Sequence, residues 1–416
     1  MKRYLLPPLL LACLYAYSQK TDSLIAHYGL RAEKYLAKDK SVYDYFDIGK
    51  PGIRMYASPA AKAKDSAEFF MKWEHLSYCK HSLTSGSTED RLNYYKGGKS
   101  AISPIVTFYD IIHGPKDQPL LGKKIAIDPG HIGGDTASAR MERRLAKIKS
   151  ENGTEYVIRE GNLTMQTALI LKTKLEKLGA KVMLTRNGEG MNAFGYSFSE
   201  WMKKNFEKSV IAAFQEKEIT AKERDKLLSS KTGSDYIFYH FFLQEELKQR
   251  AKLINGFQPD LSVIIHYNVD ESNKNWTKPS TKNYNMVFIP GAFMKGEMET
   301  VRDRFEFLRL LISDDLSRSA SLSSYLIKRF EKKLKVPAAT ENDAEYLLSS
   351  CKSTPVPGVY CRNLTLTRYV HGTLIYGEPL YLDNVNEYKL MSKPGNERII
   401  LAAEAFYDAV LEYFQK

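Results

Sequence analysis

The sequence is poor in cysteine and has no second long apolar run. Four cysteines in 416 residues are too few for a disulfide-stapled scaffold, which excludes the small disulfide-rich secreted proteins. After residue 18 no apolar stretch approaches the roughly 20 residues that a membrane-spanning helix needs. We therefore expect no transmembrane segment once the leader described below is removed. A nucleic-acid-binding motif is also missing, so we expect no nucleic-acid partner.

The composition is that of a folded protein. Hydrophobic residues make up 43% and charged residues 26% of the chain, which excludes a disordered or collagen-like protein. The length predicts two or three domains. The net charge of +12 fits attraction to an anionic cell envelope, and it is equally typical of a solvated lysine-rich face.

The N-terminus has the pattern of a secretory signal peptide. A basic start precedes an apolar stretch, and Ala16 and Ser18 place small residues at positions −3 and −1 of a cleavage site. We therefore expect residues 1–18 to be removed and the protein to be exported to the periplasm or cell envelope. Lipoprotein processing at Cys13 is the alternative, and it ranks second because the apolar stretch before this cysteine is short.

Three cysteines would remain after export. Cys351 and Cys361 suit one disulfide in an oxidising compartment. Three buried free thiols, with Cys79 as the third, fit the sequence equally well, because spacing alone does not fix connectivity.

The pattern of the sequence changes near residue 119. Residues 19–118 alternate short helical patterns with turn-rich stretches and carry no recognisable chemistry, so we expect an N-terminal region distinct from a main domain at 119–416. In that domain, buried strands alternate with amphipathic helices, which predicts an α/β fold with a mixed, mostly parallel central sheet flanked by helices. Residues 187–243 interrupt the alternation with polar, lysine-rich sequence and are expected to form a helical insertion.

Hydrophobic periodicity predicts the individual elements. Helices are expected over residues 22–36, 61–75, 163–178, 200–215, 221–228, 244–257, 319–334 and 397–414. Strands are expected over residues 124–128, 182–185, 261–265, 284–289, 364–367 and 373–376.

Three side chains of metal-binding type stand at the ends of these elements. His131 follows the first strand of the main domain, His266 follows the strand 261–265, and Glu160 precedes the helix 163–178. Parallel strands bring their carboxyl ends to one edge of a sheet, and two imidazoles with one carboxylate are a ligand set of catalytic zinc. Taken singly, a strand-end histidine more often packs, and a glutamate at a helix start usually compensates the helix dipole.

Glu378 ends a further apolar strand. An unpaired carboxylate buried there would be costly. Beside a metal ion it is tolerable, and it can act as a general base toward water. The alternative is a solvated glutamate at the end of a strand.

Five ordered blocks resemble the zinc-dependent N-acetylmuramoyl-L-alanine amidases, the cell-wall amidases of the AmiA/AmiB/AmiC type. The blocks are residues 125–135, 160–164, 179–186, 250–268 and 358–384. The resemblance implies an amidase-like zinc-hydrolase fold with one zinc ion held by His131, Glu160 and His266. It also implies that Glu378 is the catalytic base and that peptidoglycan is the substrate, in cell-wall remodelling, septum splitting or recycling.

The chain departs from this family in three places. Pro379-Leu380-Tyr381 follows the glutamate where the family continues with Thr-Gly-Phe, and the loop 134–159 is long and basic. Some members carry an autoinhibitory helix in the place of residues 293–315, which here either block the site or merely pack. An activator protein is a further candidate partner, and the sequence leaves open whether the site is autoinhibited.

Two other functions are compatible with the sequence. One is an exported zinc peptidase or carboxypeptidase that acts on cell-wall peptides, and the other is a non-catalytic peptidoglycan-binding module. Release of a whole stem peptide, as opposed to a terminal amino acid, distinguishes an amidase from a carboxypeptidase. Zinc content together with turnover distinguishes an enzyme from a binding module.

Overall fold

The structure is a computed structural model that describes residues 8–84, 115–133, 135–188 and 192–415. The start of the predicted leader and the side chains of its remainder, Cys13 included, lie outside the described part. Within the described part, no helix combines the length and apolarity that crossing a bilayer requires.

The chain forms two compact units. The first combines Met1–Pro104 with Gly291–Ser313, and the second combines Ile105–Pro290 with Asp314–Lys416. The sequence-based boundary at residue 119 stays a prediction.

The helices and strands are numbered in chain order. The α-helices are α1 Pro8–Arg31, α2 Pro59–Ala63, α3 Leu76–Thr84, α4 Thr136–Met141, α5 Glu160–Lys177, α6 Phe198–Lys204, α7 Phe206–Gln215, α8 Ala221–Leu228, α9 Ser234–Ile237, α10 Leu243–Phe257, α11 Val301–Ile312, α12 Asp315–Leu334, α13 Glu345–Ser350, α14 Thr365–Tyr369, α15 Tyr388–Met391 and α16 Glu397–Gln415. The strands are β1 Phe46–Gly49, β2 Gly52–Tyr56, β3 Ala67–Lys72, β4 Lys124–Pro129, β5 Leu145–Lys149, β6 Glu155–Arg159, β7 Lys181–Leu184, β8 Leu261–Ile265, β9 Met286–Ile289, β10 Cys351–Ser353, β11 Val359–Arg362 and β12 Leu374–Glu378. Short π or 3-10 turns cover Ala32–Leu36, Lys40–Tyr45, Trp73–His75, Phe238–Phe242 and Glu341–Asp343.

The first unit contains a three-stranded antiparallel sheet in the order β1-β2-β3. The helix predicted over residues 61–75 is wrong, because only α2 is helical there and β3 follows it. Met71 pairs with Ile53, and Phe70 pairs with Arg54. Pairing with β2 therefore overrides the local helical pattern, as tertiary context often does for aromatic residues.

Helix α11 belongs to this first unit. Its side chains Phe305, Phe307 and Leu311 are buried, and the Phe307 ring lies 4.9 Å from that of Phe46, centroid to centroid. The Arg304 Nε donates to Glu68 Oε2 at 2.7 Å. The segment that the sequence left as either blocking or packing thus packs inside the first unit.

The second unit is built on a seven-stranded sheet with the order β10-β11-β9-β12-β8-β4-β7. The pairs β12–β8, β8–β4, β4–β7 and β11–β9 are parallel, whereas β10–β11 and β12–β9 are antiparallel. This confirms the predicted fold class. The parallel neighbours β12, β8 and β4 end side by side, since Ile264 pairs with both Asp128 and Tyr376.

The predicted helices α12 and α16 pack against this sheet. The long helix α16 packs against α12 and α5, and α12 contacts β12 and β9. The Phe330 and Phe406 rings meet edge to face with centroids 5.2 Å apart. A Cβ at Gly377 would lie 2.6 Å from the Phe406 ring, so only glycine lets the helix layer approach β12 this closely.

The insertion is helical, as predicted. The predicted helix 200–215 is divided at Asn205 into α6 and α7, and α8 has the predicted bounds. Trp201 is fully buried in its core, and the same cluster includes Ile132 from the loop after β4. The insertion is therefore anchored beside His131.

Two further elements differ from prediction. The strand predicted over 364–367 is wrong, because α14 occupies that place and β11 precedes it. The backbone N–H of Leu364 donates to Thr367 Oγ1 at 2.9 Å, which caps the short helix. The basic loop 134–159 contains the antiparallel hairpin β5–β6.

Cys351 and Cys361 are buried free thiols, so the disulfide alternative is not formed.

The contact between α16 and α12 gives a stability prediction. Phe406→Ala should lower the free energy of unfolding by about 3–5 kcal/mol, because it deletes a buried aromatic ring and leaves a cavity. Ile400→Ala is the control on the same helix, because Ile400 is 39% exposed and should cost less than about 1 kcal/mol. Urea unfolding followed by circular dichroism measures both, and equal losses would contradict the packing described.

Candidate metal centre

Four side chains meet at the carboxyl edge of the parallel strands. His131 follows β4, His266 follows β8, Glu378 is the last residue of β12, and Glu160 is the first residue of α5. The strand order β12-β8-β4 places the first three on adjacent strands. All four line a cavity of about 280 Å³. The structure therefore brings every predicted site residue together.

The three predicted ligands converge on one point. His131 Nε2 lies 3.1 Å from Glu160 Oε2 and 3.1 Å from His266 Nδ1. His266 Nδ1 lies 3.3 Å from Glu160 Oε1, and one donor atom from each residue falls within 4.8 Å of the others. Glu160 and His266 are buried. Such a cluster of two imidazoles and a carboxylate is a suitable set for zinc.

The loop after β4 is shaped to bring the two histidines together. A Cβ on Gly130 would lie 2.3 Å from His266 Nε2, so glycine is required for the His266 ring to pack on this backbone. His131 has a φ of +60°, a left-handed conformation that is uncommon outside glycine and is found at strained functional positions.

Glu142 orients the first histidine. Its Oε1 lies 3.0 Å from His131 Nδ1, while Oε2 accepts the backbone N–H groups of Ile132 and Gly133 at 2.9 and 3.0 Å. Burial opposes ionisation, but His131 and these donors lower the pKa of Glu142 to about 2. A carboxylate on the far nitrogen fixes the ring so that Nε2 faces the ligand cluster. Sequence reasoning missed this residue.

Arg250 holds the loop after β4 through its backbone carbonyls. Its guanidinium pairs with Asp128 at 3.2 Å and donates to Pro129 O at 2.9 Å and His131 O at 3.1 Å. Glu246 accepts from Arg250 Nε at 2.7 Å. Both charged partners and the arginine are fully buried, so breaking this network would strand a buried charge.

Arg186 links the loop that carries His131 to the start of α5, which carries Glu160. Its Nη2 donates to Gly130 O at 3.2 Å and to Gly161 O at 2.7 Å, and its Nε donates to Pro129 O at 3.0 Å. Thr164 Oγ1 donates to Gly130 O at 2.6 Å. The loop that carries His131 is thereby tied to the start of the helix that carries Glu160.

Glu378 is buried without a hydrogen bond to its Oε2. Burial raises its pKa to about 7, and the negative charge of Glu160 adds to the effect, while Arg362 and His131 oppose it. The neighbouring Tyr376 ring stacks on His266 with centroids 4.5 Å apart. An unsatisfied carboxylate oxygen in a polar cavity is suited to receive a proton from a bound water.

The charged groups of the ligand cluster shift one another's pKa values. Burial opposes ionisation of Glu160, but the histidines lower its pKa well below the ordinary value. Burial and the neighbouring His131 lower the pKa of His266 to about 4. His266 is therefore neutral near pH 7, which is the form that binds metals.

Arg144, in the wall of the cavity, places a positive charge next to the ligand cluster. Arg144 Nε donates to His131 Nε2 at 3.2 Å and lies 3.6 Å from Glu160 Oε2. Its guanidinium also lies 5.2 Å from the centre of the Trp276 ring. The lone pair of His131 Nε2 can either accept this hydrogen bond or bind a metal ion, but it cannot do both. The contact with Arg144 and metal binding at His131 therefore exclude one another.

The donor set and the unsatisfied Glu378 oxygen fit a single divalent ion. His131, Glu160 and His266 supply three protein donors, which leaves a fourth position of a tetrahedral site for water or substrate. A second cluster of this kind is not found among the described residues. The residues therefore fit a single zinc ion.

The role of Glu142 gives a binding prediction. Glu142→Gln should weaken zinc affinity by about 10- to 100-fold, because it removes the charged partner that orients His131. Glu151→Gln, at an exposed hairpin position, should leave the affinity unchanged. Competition with a chromophoric chelator measures both, and equal affinities of the two variants would exclude an orienting role.

Comparison with known proteins identifies the family. The family model of the N-acetylmuramoyl-L-alanine amidases (Amidase_3) matches residues 125–412. No curated protein matches the chain.

Several solved amidase structures align with it at low similarity. CwlD of Clostridioides difficile, in complex with the GerS lipoprotein, is 17% identical, with 70% of this chain and 98% of that chain covered and a TM-score of 0.39. Ami1 of Mycobacterium abscessus is 14% identical, with 70% and 99% covered and a TM-score of 0.39. AmiC2 of Nostoc punctiforme is 12% identical, with 71% and 98% covered and a TM-score of 0.37.

With TM-scores this low, the assignment depends on the family match. That match spans more than half of the chain and includes all four candidate site residues. The protein therefore belongs to the N-acetylmuramoyl-L-alanine amidase family, which confirms the resemblance and the enzyme class that the sequence predicted.

Proposed function

We propose that this amidase hydrolyses the amide between the lactyl group of N-acetylmuramic acid and L-alanine with one zinc ion held by His131, Glu160 and His266. The single observation that carries the proposal is the convergence of these three donors within 4.8 Å, in the cavity that also contains the unsatisfied Glu378 carboxylate. A bound zinc ion supplies Lewis acidity toward the amide carbonyl and lowers the pKa of water toward about 7.

Glu378 moves the protons of the reaction. Its carboxylate accepts a proton from the attacking water as the new C–O bond forms, and it returns that proton to the amine nitrogen as the C–N bond breaks. Burial raises the pKa of Glu378 above its ordinary value, which brings this carboxyl closer to the operating pH, where an acid–base group works best. The products are a muramoyl carboxylate and a stem peptide with a free L-alanine amine.

The chain's other residues hold this arrangement in place. Arg250 and Arg186 hold the loop that carries His131, and Glu142 turns the His131 ring toward the cluster. Preorganised ligands of this kind reduce the reorganisation that binding and reaction require. We further propose that the protein is exported and acts in remodelling of the cell wall, with residues 1–18 as its signal peptide.

Removal of the general base is the direct test of this mechanism. Glu378→Gln should bind about one zinc ion per chain and lose about 10²- to 10⁴-fold in turnover, which is the range that general bases contribute. Release of free stem peptides from purified sacculi, followed by mass spectrometry, measures turnover. Glu397→Gln, at an exposed position, is the control. Near-normal activity of Glu378→Gln would remove Glu378 from the mechanism.

Substitution of the histidines tests the ligand assignment. His131→Ala and His266→Ala should each lose most of the bound zinc, because two protein ligands do not hold the ion tightly. His75→Ala, which changes an exposed histidine, should keep the zinc content of the parent protein. Metal analysis of the purified variants measures this. Full zinc occupancy in either site variant would reject the assignment.

The same digestion distinguishes the alternatives. Whole stem peptides beginning with L-alanine indicate the proposed amidase. Loss of a single terminal amino acid indicates a carboxypeptidase, and binding without any product indicates a binding module. A requirement for an activator protein stays a prediction, and CwlD with GerS is an example of an amidase solved with a partner.

A further inference from the structure

The cavity contains an arginine that the proposed chemistry does not use. Arg362 is the last residue of β11 and lines the same cavity as the three ligands and Glu378. Within the described part of the chain its guanidinium makes no hydrogen bond or ion pair. A partly buried arginine of this kind has donors available for a ligand.

The guanidinium is held in place by aromatic rings. Its central carbon lies 4.5 Å from the centre of the Tyr346 ring and 4.9 Å from the centre of the Phe288 ring. The Tyr346 hydroxyl in turn accepts a hydrogen bond from Asn268 Nδ2 at 2.7 Å. Stacking holds the planar group without consuming its N–H donors, which leaves the fork open to a carboxylate.

A structural role as counter-charge to Glu378 is the competing explanation. The two groups attract one another, since Glu378 raises the pKa of Arg362 against the effect of burial. They are nevertheless not within the 4.0 Å of an ion pair, and Glu378 Oε2 has no hydrogen-bond partner. The guanidinium therefore neighbours the base without neutralising it directly.

The substrate class offers a carboxylate at a suitable position. In a stem peptide the residue after L-alanine is D-glutamate linked through its side chain, so its α-carboxyl group is free or amidated. That carbon lies two residues from the scissile amide, which corresponds to roughly 7 Å of extended chain. A ligand that reacts beside Glu378 can therefore reach Arg362 in the same cavity.

We propose that Arg362 binds the free α-carboxylate of the second stem-peptide residue, and that the enzyme thereby prefers unamidated over amidated stems. This inference rests on the proposed function, because it assigns a part of the same substrate to the same cavity. Arg362 is a specificity-determining residue here and takes no part in the proton transfers.

A matched pair of substrates tests the assignment. The probes are N-acetylmuramoyl-L-alanyl-D-isoglutamate and its isoglutamine analogue, which differ in one carboxylate. For Arg362→Gln we expect KM for the acidic substrate to rise about 10- to 100-fold, because a charge-assisted bidentate bond is lost. The kcat for the acidic substrate should change little, and so should KM and kcat for the isoglutamine substrate. Arg362→Lys should recover part of the loss, since it keeps the charge without the fork.

Controls separate specificity from folding and from the metal site. Arg318→Gln, at an exposed position, should behave as the parent protein. Zinc content and the urea unfolding midpoint of Arg362→Gln should match the parent, and if this variant does not fold, Arg362→Lys takes its place. An equal fall in kcat for both substrates would assign Arg362 to the tuning of Glu378 and overturn the proposal. Unchanged constants for both substrates would overturn it as well.

A binding measurement distinguishes failure of this inference from failure of the proposed function. Calorimetry of L-alanyl-D-isoglutamate and L-alanyl-D-isoglutamine with the zinc-loaded protein requires no turnover. Absence of hydrolysis together with Arg362-dependent preference for the acidic peptide would reject the amidase mechanism and retain the carboxylate site. Equal binding of the two peptides by the parent protein would reject the carboxylate site, whatever the activity.

Discussion

The geometry of the site depends on two buried arginines that hold one loop. Arg250 and Arg186 together bind the backbone carbonyls from Pro129 to His131. The loop has an unusual backbone, with His131 at φ +60°, so it would relax without these donors. Removal of one partner from such a buried charged network typically costs about 3–5 kcal/mol. Ligand geometry and stability of the sheet edge are therefore parts of one network.

The strand-end residues of the site were accessible from the sequence. His131, His266 and Glu378 each follow or end an apolar strand, and adjacent parallel strands necessarily bring such positions to one edge. Glu160 was found through the helix that begins there. Glu142 was missed because it lies in the long basic loop 134–159, directly after α4, where no local pattern distinguishes it from the other charged residues.

Other features had no local signal at all. Arg362 acquires its environment from Phe288 and Tyr346, which come from other strands and helices, so neither spacing nor periodicity indicates its position in the cavity. The helix wrongly predicted over 61–75 shows the same limit, since pairing of β3 with β2 decides its structure. Local pattern predicted elements where burial and period agreed, and it failed where a partner distant in sequence decided the conformation.

The chain path between β9 and α12 limits how the two units can be separated. After β9 the polypeptide leaves the amidase unit, contributes α11 to the other unit, and returns at Asp314. Phe305, Phe307 and Leu311 on that helix are buried by packing in the first unit. The N-terminal residues are therefore not a detachable appendage: a protein trimmed to its amidase portion would carry a stray apolar helix in its middle and would be prone to aggregate.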